Sequence, residues 1–285
     1  VADLHTRPHK KLIERLRTEA PDIILLAGDI MEARDLDDEN SSGYAFLRDC
    51  AVIAPTYYSL GNHEMIGSSR KNPPKKDEDI DEIRARVAKT GVTLLHNESA
   101  LWNGIRICGL TSGLRGKENL PDKQAITRFA SAEEFRILLC HHPEYYEPYI
   151  RPTNIDLVVS GHAHGGQWRI PGVGAVYVPE LGSFPEDSLI TGKSYLAGVW
   201  QHISPGLGAG TEAVHHLFNA FGADRAQELA RGADVKRYKI ACGACVFNAL
   251  FNQLVKDGHG KHREVGVLSY QGKPFFCIVL TLSRL

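Results

Sequence analysis

The sequence predicts an α/β layered fold, and two observations support this prediction. Segments with helical spacing of apolar residues alternate with apolar strands up to about residue 170, an order typical of layered α/β domains. The strand DIILLAGD (22–29) is almost continuously apolar, which is typical of a strand buried on both faces of a parallel sheet. We therefore expect a central sheet with helices packed against it.

The first elements follow one another as helix and strand in turn. Leu12, Ile13 and Leu16 lie at helical spacing and predict a first helix, which Pro21 ends. The next predicted elements are the strand 22–29, a helix over 44–55, a strand with its loop over 56–64, and an amphipathic helix over 79–91.

Later segments continue the pattern and then change in character. Predicted strands lie within 92–99, 105–113, 133–146, 155–168, 173–184 and 198–211. The chain therefore divides into a domain over 1–211 and a C-terminal segment over 212–285. In that segment, the residue pattern over 212–232 predicts a helix, and a β-hairpin is predicted around Gln271–Lys273. Three interpretations of the segment stay open: an insertion followed by the closing strand of the same domain, an unrelated appended segment, or an altered reading frame.

Composition limits the classes of partner. The 285 residues are 43% hydrophobic and 24% charged, with a formal net charge of -1, so no general basic field favours nucleic acid. No apolar run is long enough to span a bilayer. Six scattered cysteines indicate a reduced, intracellular protein. Because the chain begins with VADLH, which has the pattern of a strand end, we expect residues upstream, and a leader or anchor before Val1 stays open.

Metal-ligating side chains follow the predicted strands at the ends where α/β sites assemble. The set contains carboxylates, an amide and imidazoles: Asp3, His5, Asp29, Asn62, His141, His162 and His164. Such mixed ligation suits manganese, iron, zinc or cobalt. Since one catalytic zinc ion needs about three protein ligands, seven residues predict two divalent transition metal ions, with Asp29 as the shared carboxylate.

Five motifs in order carry a family resemblance. DLH, GD, GNHE, HHP and GHAHGGQ resemble the motifs of the calcineurin-like metallophosphoesterases. GHAHGGQ and the later ISPGLG resemble a bacterial branch often found at the cytoplasmic membrane. The resemblance covers residues 1 to about 210. It implies a four-layer α/β/β/α sandwich of two mixed sheets flanked by helices.

The resemblance also implies a role for each residue. Asp3, His5 and His164 would bind one metal ion together with Asp29. The second ion would be bound by Asn62, His141 and His162, again with Asp29.

Within GNHE, His63 would be the catalytic residue, donating a proton to the leaving oxygen or stabilising charge on the phosphorus. Gly61 would let the turn form, and Glu64 would orient a neighbouring group. His142 in place of His141 stays open as a ligand. Pro205 stands where the family often has arginine, which puts one substrate contact in doubt.

The implied activity is hydrolysis of a phosphoester by a hydroxide that bridges two metal ions. A phosphodiester or pyrophosphate-type substrate is favoured over a protein phosphate, and the small substrate is expected to be nucleotide- or lipid-linked. We expect a cytoplasmic location, with peripheral attachment to the inner face of the membrane as an alternative, and no protein partner. Two further alternatives are a metal-free binding scaffold of the same fold and a nuclease.

Overall fold

The structure is a computed structural model. It describes residues 1–65, 79–113, 120–166, 168–170, 174–178, 182–183, 185, 189–196, 198–207, 235–242, 245–256, 262–270 and 273–280. The helix predicted over 212–232 and the predicted domain boundary after residue 211 lie outside the described residues. That division into domains therefore stays a prediction.

The helices begin and end where local chemistry favours it. They are α1 Lys10–Glu19, α2 Ser42–Ile53, α3 Asn62–Met65, α4 Ile80–Ala88 and α5 Lys123–Ala130. Ala20 ends α1 in a left-handed conformation, directly before Pro21. The Asp122 carboxylate caps α5 by accepting hydrogen bonds from two backbone N–H groups of its first turn, which would otherwise lack partners.

The strands form two large sheets and one small one. They are β1 Ile23–Ala27, β2 Thr56–Ser59, β3 Thr93–Leu94, β4 Glu98–Trp102, β5 Ile105–Leu110, β6 Phe135–Cys140, β7 Leu157–Ser160, β8 Trp168–Ile170, β9 Gly174–Val178, β10 Gly182–Ser183, β11 Gly192–Leu196, β12 Val199–Ile203, β13 Val235–Cys242, β14 Cys245–Lys256, β15 His262–Tyr270 and β16 Lys273–Leu280. The first sheet has the order β16-β15-β14-β13-β1-β2-β3, the second β11-β12-β7-β6-β5-β4, and the third β10-β9-β8.

Both large sheets are mixed, with parallel strands at their centres. In the first, β13, β1, β2 and β3 are parallel and β14 to β16 are antiparallel. In the second, β5, β6, β7 and β12 are parallel, while the edge strands β4 and β11 are antiparallel. Because parallel strands all point the same way, their carboxyl ends gather at one end of the molecule.

Three apolar layers hold the sheets and helices together. Alternate residues of β1 go to opposite sides: Ile24 and Leu26 pack against α1, α2 and α4, whereas Ile23 and Leu25 face the second sheet. On the far side of the second sheet, Leu138 and its neighbours pack against α5 and the turns after β6. The layers are therefore helix, sheet, sheet and helix, which confirms the predicted four-layer sandwich.

Two sequence-based details differ from the structure. The segment 92–99, predicted as one strand, is two short strands separated at Asn97, whose φ of 53° breaks the extended backbone. The predicted hairpin corresponds to antiparallel β15 and β16. One interpretation placed the closing strand of the domain near the end of the chain. The strand of the C-terminal segment that pairs with β1 is instead β13, and β16 lies at the sheet edge.

No helix within the described part of the chain has both the length and the hydrophobicity needed to cross a membrane. The predicted peripheral association with a membrane stays a prediction.

His202 on β12 gives the fold a testable acid sensitivity. Its side chain is buried, and burial, with the nearby Lys193 ammonium adding to it, lowers the pKa of His202 to about 3. An unfolded chain protonates this histidine below its ordinary pKa of 6.5. Because the unfolded state then binds the additional proton, His202 makes the free energy of unfolding fall as the pH is lowered from 6.5 towards 3.

We therefore expect His202→Gln to be less sensitive to acid than the parent. The parent should lose stability by up to ~1.4 kcal/mol per pH unit from this group in that range, and the variant should not. Urea unfolding of both proteins between pH 4 and 8 measures the difference. Parallel pH profiles for the two proteins would contradict the assignment.

Candidate functional site: a histidine and carboxylate cluster

The predicted ligands lie together at the carboxyl ends of the parallel strands. Residues 1–6 run beside β1, because Asp3 N–H donates to the Gly28 carbonyl and His5 N–H to the Asp29 carbonyl. Asp29 directly follows β1, and the turns after β2, β6 and β7 contribute the other predicted ligands. The fold thus brings all seven predicted ligands and His63 to one end of the sandwich.

The predicted ligands form two groups, and Asp29 belongs to the second of them. Asp3, His5 and His164 can each place one ligand atom within 4.8 Å of the others, and so can Asp29, His141 and His162.

Two direct distances define the second group. Nε2 of His141 is 3.0 Å from Oδ2 of Asp29, and Nδ1 of His162 is 3.0 Å from Oδ1 of Asn62. His5, Asp29 and His63 form a further group of this kind. Asp29 therefore lies close to His5 of the first group as well as to the histidines of the second.

Glycines allow these close approaches. A Cβ at Gly61 would lie 2.2 Å from Oδ1 of Asp29, and one at Gly161 would lie 2.5 Å from Oδ2 of Asp3. We expected Gly61 to be needed for the turn, but the structural reason is the packing of Asp29 against its backbone. At Gly206, in the ISPGLG segment after β12, a Cβ would lie 2.9 Å from Nδ1 of His164.

Glu64 is a fully buried carboxylate that joins two of the site turns. It accepts hydrogen bonds from the backbone N–H groups of Asp29, Ile30 and Met31 at 2.6–2.9 Å. It also accepts from Gly61 N–H at 2.7 Å and from the Tyr58 hydroxyl at 2.5 Å. Burial raises the pKa of Glu64 to about 6, and the nearby Asp29 carboxylate adds to the shift.

His63 is held by a carboxylate that the sequence interpretation missed. Nδ1 of His63 lies 3.0 and 3.2 Å from the two carboxylate oxygens of Glu32. One of those oxygens is also 3.3 Å from Nδ1 of His5. The hydrogen bond to Glu32 raises the pKa of His63 to about 9 despite burial, so the imidazole carries a proton at neutral pH. The signal in the sequence that could have identified Glu32 is its position, three residues after Asp29.

The two adjacent histidines after β6 face different partners. His141 turns towards Asp29, and its Nδ1 lies 2.7 Å from the Ala27 carbonyl. His142 turns instead to Glu144, with Nδ1 2.7 Å from a carboxylate oxygen. This geometry favours His141 as the ligand.

The chemistry of these residues fits divalent cations. Asp3 and Asp29 are 0% and 1% exposed, and within the described ranges their ion-pair partners are histidines. Buried carboxylates are normally paired or coordinate metals. Burial lowers the pKa of His164, which favours the neutral imidazole that a metal ion needs.

His141 differs from His164 in its protonation. Burial lowers the pKa of His141, but the Asp29 carboxylate outweighs burial and raises it to about 10. A cation at this position would take the place of that proton.

Comparison with known proteins identifies the family. The family described as calcineurin-like phosphoesterase matches residues 1–166 of this chain. The chain belongs to this family. Membership implies divalent metal ions at the site, and it confirms the family predicted from the five motifs. The finer assignment to a GHAHGGQ branch stays a prediction.

Relatives of this family member are found in several organisms. The chain is 30% identical over 182 residues to the phosphodiesterase YaeI of Escherichia coli, covering 64% of this chain and 59% of that protein. It is 30% identical over 167 residues to an uncharacterized metallophosphoesterase of Campylobacter jejuni, covering 58% and 41%. An uncharacterized metallophosphoesterase of Bacillus subtilis, YkoQ, is 24% identical over 222 residues, covering 73% and 74%. The chain thus spans about three fifths of YaeI and two fifths of the Campylobacter jejuni relative.

We expect Glu64→Gln to disrupt both the fold and the metal site. The amide would place N–H donors against backbone N–H groups, and removing one partner of a buried charged network costs about 3–5 kcal/mol. Urea unfolding and metal content per chain measure the two effects. Glu98→Gln is the control, since Glu98 is 53% exposed and pairs with Arg84, and its effect should be below ~1 kcal/mol. Equal effects of the two substitutions would contradict the role of Glu64.

Proposed function

We propose that this chain hydrolyses a small phosphoester with two divalent transition metal ions. The observation that supports this most directly is the position of Asp29 between two sets of ligands, each with its own imidazoles. Asp3, His5 and His164 would hold one ion and Asn62, His141 and His162 the other, with Asp29 shared. Manganese, iron, zinc or cobalt suits this mixed ligand set. Bound there, the ions would lower the pKa of the attacking water and neutralise the phosphate.

His63 would act on the leaving oxygen. Its backbone N–H donates to Oδ1 of Asp29 at 2.9 Å, which fixes the imidazole beside the shared carboxylate. Glu32 keeps the ring protonated, so His63 can place a proton on the leaving oxygen as the phosphorus–oxygen bond breaks.

The preferred substrate class is supported by the family resemblance. One relative is named a phosphodiesterase, and the branch that GHAHGGQ and ISPGLG resemble favours a phosphodiester or pyrophosphate-type substrate. We therefore favour this class, with a nucleotide- or lipid-linked compound as the narrower proposal.

Metal content and hydrolysis should separate the roles of Asp29 and His63. The parent should bind two ions per chain and cleave a bis-aryl phosphate. Asp29→Ala should lose both metal and activity, because it removes the shared ligand. His63→Ala should keep the metal and lose about 10²–10⁴-fold in kcat. Elemental analysis and steady-state kinetics measure these outcomes.

His9→Ala provides a control outside the metal-ligand groups, since His9 contacts Asp49 and Phe46. If the metal-loaded parent cleaves neither aryl phosphate diesters nor monoesters, the proposed activity is wrong. If the parent binds no metal after repeated loading, the scaffold alternative takes its place.

The pair of Glu32 and His63 gives a second test of the mechanism. We expect Glu32→Gln to lower kcat about 10–100-fold, because His63 loses the carboxylate that orients and protonates it. Two ions should still bind, as Glu32 is not among the proposed ligands.

Glu39→Gln is the matched control for Glu32→Gln. Glu39 is a 44% exposed glutamate that pairs with Lys89, so its substitution should leave kcat unchanged. An unchanged kcat in Glu32→Gln, with metal bound, would rule out this role for Glu32.

A further inference from the structure

Glu144 lies between a proposed metal ligand and a histidine outside the ligand set. It belongs to the short 3-10 helix Pro143–Tyr145, which directly follows the two histidines after β6. One of its carboxylate oxygens is 2.7 Å from Nδ1 of His142 and 4.0 Å from Nε2 of His162. The rings of the two histidines are themselves only 4.2 Å apart.

His142 fixes the direction of Glu144. Its side chain is 1% exposed, and its ring packs against Tyr145 with centroids 4.9 Å apart. The hydrogen bond to His142 therefore comes from a ring that cannot turn freely. Glu144, with a side chain 22% exposed, is held facing the site rather than the solvent.

The two ring nitrogens of His162 face different partners. Nδ1 faces Oδ1 of Asn62 at 3.0 Å, on the side where the second ion is proposed. A neutral imidazole has a single lone pair, so an imidazole that binds metal through Nδ1 carries its proton on Nε2. The nearest Glu144 oxygen is 4.0 Å from Nε2, which is longer than a hydrogen bond, so its carboxylate acts on this side of the ring through its charge.

The same chemistry argues against a third ion between these side chains. His142, Glu144 and His162 could place ligand atoms within 4.8 Å of one another. However, His162 can give its lone pair to only one ion, and that lone pair is proposed to bind the second ion through Nδ1. Metal-binding histidines commonly donate their second N–H to a carboxylate, which fixes the ring and raises its basicity.

We propose that Glu144, held by His142, is a positioning residue whose carboxylate charge faces the Nε2 side of His162 and thereby strengthens binding of the second ion. This inference rests on the proposed function, because it requires His162 to be a metal ligand. It assigns a role to two residues of the HHPE segment that are outside the proposed ligand set.

The test is Mn²⁺ titration by calorimetry, with metal content per chain, on the parent, Glu144→Gln, Glu144→Asp and Glu147→Gln. Glu144→Gln should keep one ion at parental affinity and bind the other 10–100-fold more weakly. Glu144→Asp keeps the charge and should recover part of that loss. Glu147→Gln is the matched control, since Glu147 lies on the same segment and pairs with exposed Arg151. Thermal unfolding of the metal-free proteins checks that each variant is folded.

The outcomes separate this inference from the proposed function. If the parent binds two ions and Glu144→Gln binds both with parental affinity, or both weaken equally, the positioning role is wrong and the proposed function stands. The same holds if the parent binds three ions and Glu144→Gln binds two. If Glu144→Gln does not fold, Glu144→Asp becomes the test. It must then bind one of the two ions more weakly than the parent and the other with parental affinity. If the parent binds no Mn²⁺ and also no Zn²⁺, Co²⁺ or Fe²⁺ in the same titration, both proposals fail.

Discussion

The buried carboxylate of Glu64 is the constraint on which the rest of the site depends. The turns after β1 and β2 each present backbone N–H groups to the interior, where water cannot satisfy them. One side chain accepts from three N–H groups of the first turn and one of the second. Without it, several buried donors would lose their partner at once. Asp29 is thereby fixed against Gly61, and His63 follows within hydrogen-bonding distance of Asp29.

The backbone of the ligands is unusual in the same region. Five of the seven proposed ligands have a positive φ: Asp3 55°, His5 50°, Asp29 53°, His162 67° and His164 49°. Residues with side chains seldom adopt this conformation, and it costs of the order of 1–3 kcal/mol at each position. Neither a strand nor a helix could turn so many side chains towards one point. The hydrogen bonds between the turns stabilise these conformations, so the backbone directs the side chains of the proposed ligands towards one point.

The sequence pattern predicted the α/β alternation and the candidate ligands, and the family resemblance implied the four layers, but neither identified the groups that hold the candidate ligands in place. Continuous apolar strands and polar residues at strand ends follow simple periodicity, and these predictions agree with β1, β2, β6 and β7. The break at Asn97 escaped prediction because it depends on one local φ. Glu32 and Glu144 escaped because glutamate in a polar turn is normally solvated. Their roles depend on which strands are neighbours, and periodicity contains no information on that.

The positions of these two glutamates nevertheless follow a local rule. Glu32 stands three residues after Asp29, and Glu144 three residues after His141. In each case a 3-10 helix begins there or one residue away, over Ala33–Asp37 and Pro143–Tyr145. Each glutamate side chain turns to a histidine other than the ligand it follows, Glu32 to His63 and Glu144 to His142. A carboxylate there meets the histidines of neighbouring strands, since their ends lie at the same edge. The same local geometry thus supplies Glu32 behind His63 and Glu144 behind His162.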